Sequence, residues 1–407
     1  MLRGLTEAGV EVTVVPTAAA LRFVGEPTWA ALSGRPIATD LWSGAHEVPH
    51  VRLGQTADAV VVVPATADLL ARACHGTAAD LLTNVLLTAR GPVVLAPAMH
   101  TEMWVHAATQ HNVALLRQRG ALVLEPDSGR LTGADVGPGR LPEPRGIVDV
   151  VLALLRRTAA PSGAGDSSSP VLDLAGRTVV VTAGGTREPW DPVRYLGNRS
   201  SGRQGVALAR AALVRGAQVT LISAAMDVPP PVGVRVVPAL SAEEMRNAVG
   251  LAIADCDALV MAAAVADFRP AEVASSKIKK DAAGGAPILE LERTTDVLAE
   301  VGAARARAGR MPPHGPVLVG FAAETETDPD RLVALGIAKR AAKGCDLLVV
   351  NDVSGRGGPE VFGTDENSVT VVSEAGAISR MSGSKDEVAD AVWDAVVHRW
   401  EAAERGR

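Results

Sequence analysis

The sequence predicts an α/β protein made of two doubly wound, Rossmann-like parallel-sheet domains joined by a flexible linker. Three observations point there. Short apolar runs alternate with longer amphipathic stretches along the whole chain, the pattern of β–α units around a parallel sheet. Rings are scarce, with six Trp, four Phe and one Tyr in 407 residues. The cores must therefore be aliphatic, which suits strands buried on both faces. Finally, Pro161-Ser-Gly-Ala-Gly-Asp-Ser-Ser-Ser-Pro170 cannot bury enough surface to fold, so it reads as a linker between a domain at 1–160 and one at 171–407.

The bulk properties narrow the function. Hydrophobic residues make up 47 % and charged ones 21 %, with a net charge of −6. That balance belongs to a soluble globular protein and offers no basic stripe for nucleic acid. No apolar run approaches the ~20 residues of a membrane span, and Met1 opens no signal peptide. Cys74, Cys256 and Cys345 are scattered, with neither metal-ligand spacing nor a disulfide framework. A cytoplasmic enzyme is expected.

Before the linker, Val10–Val15, Ala59–Val63, Val93–Ala96 and Ala121–Leu124 predict strands. Leu69–Cys74, Leu81–Ala89 and Met103–Arg119 predict helices. Met1–Gly9 reads as the end of a helix with a Gly C-cap. A preceding strand with a Gly-rich phosphate loop is therefore expected and missing, either through a start placed too late or a lost sheet edge. After the linker, Thr178–Thr182, Val219–Ile222, Ala258–Met261, Val317–Gly320 and Leu347–Val350 predict strands. Gly205–Arg215, Ala242–Ile253, Val297–Arg307 and Arg331–Lys343 predict helices. The halves share no motif, so they are expected to carry different chemistry.

In the first half, unusual residues gather at strand ends. Pro49-His50-Val-Arg-Leu-Gly54 sets a His before a turn, Pro64-Ala65-Thr66-Ala67-Asp68 follows the strongest strand, and Ala96-Pro-Ala98-Met99-His100-Thr-Glu-Met103-Trp104 follows the next. Surface or packing roles stay open for His50, Met99, Met103 and Trp104. Small residues after neighbouring strands let a flat ring system approach the backbone, which raises a planar cofactor as a possibility.

Together with Gly137-Pro-Gly-Arg-Leu141, these segments resemble the flavin-dependent phosphopantothenoylcysteine decarboxylases. The resemblance implies FMN as cofactor along Pro64, Ala65, Thr66, Ala67 and Ala98, with His50 and His100 as catalytic residues. It implies a substrate-gripping motif that includes Met99, His100 and Met103, and an active-site flap over Ser128–Arg140. The implied chemistry oxidises the cysteine side chain toward a thioaldehyde, releases CO₂, and reduces the resulting enethiol, with no net redox change. The sequence departs from the family in three places, the first being the missing N-terminal strand that would have brought the FMN phosphate loop. His100 stands where the motif has Asn, and the flap has no Cys, leaving Thr132 and Asp135 as its hydrogen-bonding side chains there.

In the second half, Thr182-Ala-Gly-Gly185 leads through Trp190 and Tyr195 to Asn198-Arg-Ser-Ser-Gly-Arg-Gln-Gly205. Gly184-Gly185 permit positive φ or close approach, and Ser200-Ser-Gly reads as an N-cap able to hold an anion. The G-x-G-x-x-G spacing of a dinucleotide site is absent. Ala262-Ala-Ala-Val-Ala-Asp267-Phe268 follows a strand, and Lys277-Ile-Lys-Lys280 sits on a polar loop that reads as a solvated face or a phosphate-closing lid. Lys339 and Lys343 share one helix face at i, i+4, so an anion such as a polyphosphate is expected between them.

These segments resemble the phosphopantothenate–cysteine ligase domain, and the two domains in this order resemble bifunctional coenzyme A biosynthesis enzymes. The resemblance implies CTP as co-substrate and Mg²⁺ to neutralise phosphate charge. It also implies ligation of 4′-phosphopantothenate with cysteine through an acyl-cytidylate. By that resemblance Asn198 steadies the acyl-cytidylate, Lys277 acts on the transferring phosphate, and Met261, Ala262, Ala263 and Asp267 line the cytosine pocket. Thr295, Asp296, Val297 and Leu298 form the nucleotide segment, Phe321 packs on the nucleotide, and Lys339 and Lys343 hold the triphosphate. No metal ligand is identified. The resemblance further implies homo-oligomers, with ligase dimers and decarboxylase trimers. The alternative is a ligase whose first domain is a degenerate scaffold. Trp104, Trp190, Tyr195, Phe268, Phe321 and Phe362 all fall in these functional segments, so the scarce rings are expected beside ligands, with packing open for each.

Overall fold

The computed structural model describes residues 1–39, 48–131, 135–159, 172–279, 287–326, 328–352 and 365–405. They form two compact units. One holds residues 1–176 with the short pieces 213–216 and 231–233, and the other holds the remainder from Arg177 onward. The predicted linker, Thr132, Lys280 and Phe362 lie outside the described residues.

In the first unit, β1 (Val60–Ala65), β2 (Val93–Pro97) and β3 (Leu122–Val123) pair in parallel in that order. Val62, Leu95 and Val123 pack with Leu69, Leu70 and Trp104 in one apolar cluster. Each fully buried aliphatic side chain there is worth about 1.5–3 kcal/mol. Beyond the sheet, β4 (Asp127–Arg130) and β5 (Val136–Arg140) form an antiparallel hairpin at the predicted flap.

Three expectations for this unit need correction. Val10–Val15 is not a strand, and apolar alternation without a partner ladder cannot make one. The Val14 carbonyl takes a hydrogen bond from the Ala38 N–H, but no ladder forms there among the described residues. Met103–Arg119 is not one helix but two, Thr101–Val105 and Ala107–Gln118, because the His106 side chain turns back to accept from the Ala108 N–H and caps the second. His50 does not precede a turn: it lies in the first turn of the helix Pro49–Thr56, whose N-cap Val48 has φ +47°.

The second unit continues with β6 (Thr178–Ala183), β7 (Arg187–Pro189), β8 (Tyr195–Gly197), β9 (Gln218–Ser223), β10 (Arg235–Pro238), β11 (Ala258–Met261), β12 (Phe268–Pro270), β13 (Leu291–Arg293), β14 (Val317–Glu324), β15 (Leu347–Asp352), β16 (Glu366–Ser373) and β17 (Gly376–Ser384). Eight of them form one sheet in the order β10-β9-β6-β11-β14-β15-β16-β17. The first six are parallel, and β15, β16 and β17 pair antiparallel. The doubly wound core is thus extended by an antiparallel edge that the sequence reading missed. The helix Lys385–Arg405 was missed too. It buries Trp393, whose Nε1 donates to the Leu208 carbonyl at 2.9 Å. Winding passes from β6 outward through β9 and β10, then returns to β11 on the other side. The switch point therefore lies between β6 and β11, where open α/β sheets bind ligands beyond their carboxyl ends.

Candidate active sites

In the second unit the loops leaving β6 and β11 meet at that switch point. The Gly185 N–H donates to the Ala225 carbonyl at 2.9 Å, the Thr186 N–H to the Ala264 carbonyl at 3.2 Å, and the Ala264 N–H to the Gly184 carbonyl at 2.8 Å. Gly184 has φ +88°, and a Cβ there would stand 2.5 Å from the Ala225 carbonyl oxygen, so only glycine lets the strands' ends close up. Buried hydroxyls lock the same turn: Thr182 Oγ1 accepts from the Ala263 N–H at 3.0 Å and Thr186 Oγ1 from the Ala266 N–H at 2.9 Å.

Asn198 joins this turn directly, its Nδ2 lying 3.2 Å from the Val265 carbonyl oxygen. The Ser200-Ser-Gly segment stands directly before the helix Arg203–Val214, as expected of an N-cap, with the Gly202 carbonyl accepting from the Val206 N–H at 3.0 Å. The Ser200 hydroxyl accepts from the Gly202 N–H at 3.4 Å. Ala262 and Ala263 are half-buried and Asp267 is exposed at the same edge. Met261, Val297 and Leu298 are packed into the core cluster, so a nucleotide would meet their backbone rather than their side chains. Thr295 is exposed and Phe321 half-buried.

Charge pairing differs most from expectation. Lys343 Nζ lies 2.8 Å from Asp296 Oδ2, and Lys339 Nζ is ion-paired with Glu324. Each ammonium already has its own carboxylate, so no bound polyphosphate is needed to neutralise the helix face. Asp296 also caps the helix Val297–Arg307 by accepting from the Ala299 N–H at 3.0 Å. Burial alone would raise its pKa, but Lys343 and the cap hold it below the ordinary carboxylate value. Lys277 is exposed on its loop.

Two features had no signal in the sequence. Asp191, buried between β7 and β8, is held down at about 2: burial opposes ionisation, and the N–H groups of Val193, Ile278 and Arg194 with the Arg194 guanidinium overcome it. Asn351, at the carboxyl end of β15, has a buried Oδ1 with no hydrogen-bond partner among the described residues, the kind of orphan that a ligand donor satisfies.

In the first unit, Ala65 ends β1 and its carbonyl accepts from the Ala98 N–H at 3.2 Å, so both small residues stand at adjacent strand ends. Thr66 caps the helix Ala67–His75 by accepting from the Leu69 N–H. The flap hairpin docks on the motif after β2, the Met99 N–H donating to the Gly139 carbonyl at 2.9 Å. His100 pairs through Nδ1 with Glu102, and its Nε2 lies 3.5 Å from Asp135 Oδ2 of the flap. Glu102 first, and Asp135 after it, hold the imidazole above its ordinary pKa of 6.5, against the desolvation that opposes them. His50 keeps a buried Nδ1 without a hydrogen-bond partner among the described residues. Met99 is half-buried and Met103 is 49 % exposed.

The rings divide among core packing, stacking under arginine and exposed positions. Trp104 is in the core, Trp190 and Tyr195 stack under Arg194 and Arg187 at 4.6 Å, and Phe268 is exposed. All three cysteines are free and buried. Among the described residues no group of three His, Cys, Asp or Glu side chains is placed to hold a metal ion, and no helix is long and apolar enough to cross a membrane.

Two family models match the chain. "Flavoprotein" covers residues 1–156 and "DNA/pantothenate metabolism flavoprotein C-terminal domain" covers residues 174–399. The "Coenzyme A biosynthesis bifunctional protein CoaBC" of Mycobacterium tuberculosis is 53 % identical over 98 % of this chain and 92 % of its own length. The Escherichia coli protein of the same name is 38 % identical over 100 % of this chain and 94 % of its own. A solved C-terminal domain of such a protein is 31 % identical, covering 57 % of this chain and 99 % of its own at a TM-score of 0.44.

Proposed function

Since the chain belongs to the family of coenzyme A biosynthesis bifunctional proteins and carries its flavoprotein-type decarboxylase and ligase domains, we propose that it joins 4′-phosphopantothenate to cysteine with CTP and decarboxylates the product to 4′-phosphopantetheine. The observation that carries the ligase half is the convergence of the β6 and β11 loops at the switch point, with Asn198 bridging them. A pantothenate carboxylate oxygen attacks the α-phosphorus of CTP, and the bond to the β-phosphate breaks to release pyrophosphate. The cysteine amine then attacks the acyl carbon, CMP leaves, and the amine gives up a proton. Lys277 supplies positive charge to the transferring phosphate, and Asn198 fixes the acyl-cytidylate against the Ala264–Val265 backbone. Lys339 and Lys343 would reach the triphosphate by exchanging their carboxylate partners for phosphate. Mg²⁺ is expected to ride on the triphosphate with few protein ligands.

The first unit fits FMN. The orphaned His50 Nδ1 and the small residues Ala65 and Ala98 leave a polar contact and a flat approach to backbone, with Pro64, Thr66 and Ala67 along the same strand end. Bound there, FMN would supply the reversible oxidation that makes CO₂ loss easy. His50 moves or holds a proton at its imidazole. Met99 and Met103 present thioether surface to the substrate, and His100, whose pKa Glu102 and then Asp135 raise, offers a hydrogen-bond donor to its carboxylate. The scaffold-only alternative for this unit finds no support in the comparisons. A cytoplasmic homo-oligomer, dimeric through the ligase unit and trimeric through the other, completes the reading.

Two assays test it. Mixed with CTP and 4′-phosphopantothenate but no cysteine, the protein should release pyrophosphate and hold an acyl-cytidylate, with ATP a poor substitute; no pyrophosphate would end the ligase reading. The purified protein should show flavin absorbance or take up FMN, and a colourless protein that rejects FMN would leave the ligase alone.

A further inference from the structure

We propose that Asp191 is a positioning residue for the ligase reaction: with Arg194 it grips the backbone of Ile278 on both its N–H and its carbonyl, and thereby fixes where Lys277 stands. The proposal rests on the reading of Lys277 given above.

The Asp191 carboxylate is fully buried in the loop between β7 and β8. Its Oδ1 accepts from the Val193 and Arg194 N–H groups, each at 2.8 Å. Its Oδ2 takes the Arg194 Nε at 2.9 Å and the Ile278 N–H at 3.2 Å. Arg194 Nη2 then donates to the Ile278 carbonyl at 2.7 Å. A second tie lies just upstream, where the Ala274 N–H donates to the Trp190 carbonyl at 3.1 Å and Trp190 itself stacks under Arg194.

A buried carboxylate such as that of Asp191 is an expensive tether. Its desolvation is repaid only when the remaining hydrogen-bonding capacity is filled. Here the Val193 and Arg194 N–H groups fill one carboxylate oxygen, and the two backbone groups of Ile278, the residue next to Lys277, take a site on Asp191 and one on Arg194. Apolar contact could hold a loop down, but it would leave the segment free to slide. A planar guanidinium and a carboxylate that capture both polar groups of one peptide fix direction as well as place. An exposed lysine on a polar loop gains most from that, because a misplacement of about 1 Å can cost about 10²-fold in rate.

The test uses the full-length protein as wild type, Asp191→Asn, Lys277→Gln and the double variant. It measures pyrophosphate release from CTP and 4′-phosphopantothenate, and separately the consumption of preformed acyl-cytidylate by cysteine. Asp191→Asn should slow pyrophosphate release by about 10²-fold, leave the cysteine step unchanged, and add nothing in the Lys277→Gln background. Trypsin should also cleave after Lys277 and Lys279 faster in Asp191→Asn than in wild type at an equal melting temperature. Equal slowing of both steps, or additive effects in the double variant, would overturn the positioning role. Slow Lys277→Gln beside a wild-type Asp191→Asn would overturn it while sparing the lysine, whereas a wild-type rate in Lys277→Gln would sink the lysine assignment and the proposal together. If Asp191→Asn does not fold, Arg194→Lys takes its place. It keeps the charge but cannot bridge Asp191 and the Ile278 carbonyl at once, and the same pattern is expected.

Discussion

Asn198 donates its side-chain amide to the carbonyl oxygen of Val265 across 3.2 Å, tying the loop after β6 to the loop after β11. The contact spans the switch point of the sheet, so a side chain there orients both walls of the crevice.

Replacing that donor with an acceptor should be costly. In Asn198→Asp a carboxylate would face the Ala264 and Val265 carbonyls, which can give it no proton. Ligase turnover is expected to fall on the order of 10²-fold, the cost of one misdirected preorganised donor, with acyl-cytidylate building up in quenched samples. Unchanged turnover without build-up would remove the assigned role.

The flap of the first unit offers a change that should separate the two activities. Gly139 has φ +137°, and a Cβ there would lie 2.2 Å from the Met99 carbonyl oxygen. Gly139→Ala therefore forces the hairpin off the motif that carries His100, at a local cost of about 1–3 kcal/mol. Decarboxylation of 4′-phosphopantothenoylcysteine should drop while pyrophosphate release from CTP stays at the wild-type rate. Parallel loss of both would point to general misfolding instead.

His100 gives a pH dependence of defined sign. Its pKa is raised by Glu102 and then Asp135. The cation's favourable contacts are therefore complete below the ordinary histidine value of 6.5 and are lost as pH rises through the raised one. In an NMR titration its imidazole should show a midpoint above 6.5, and in Glu102→Gln that midpoint should move back down. A midpoint that ignores the substitution would mean Glu102 does not hold the proton.

Local pattern made most of the parallel core legible. Ala258–Met261 and Val297–Arg307 form the expected elements at the expected residues, because apolar period and the Asp296 cap are written in neighbouring positions. Val10–Val15 looked the same but has no ladder, which is a fact about partners rather than pattern. The candidate sites divide in the same way. Motif segments at strand ends were visible, and Asn198 does reach the loop after β11. The neutralisation of Lys339 by Glu324 and of Lys343 by Asp296 was not visible, since the partners sit 15 and 47 residues away in sequence. Asp191 and Ile278, 87 residues apart, could be joined only by the folded chain.

The two-step account is tested most directly by mass spectrometry of one reaction: purified protein with its bound flavin, 4′-phosphopantothenate, cysteine, CTP and Mg²⁺. It predicts 4′-phosphopantetheine with one CMP and one pyrophosphate for each CO₂ released, and loss of all of these in Lys277→Gln. Accumulation of 4′-phosphopantothenoylcysteine without CO₂, or undiminished pyrophosphate in Lys277→Gln, would contradict it.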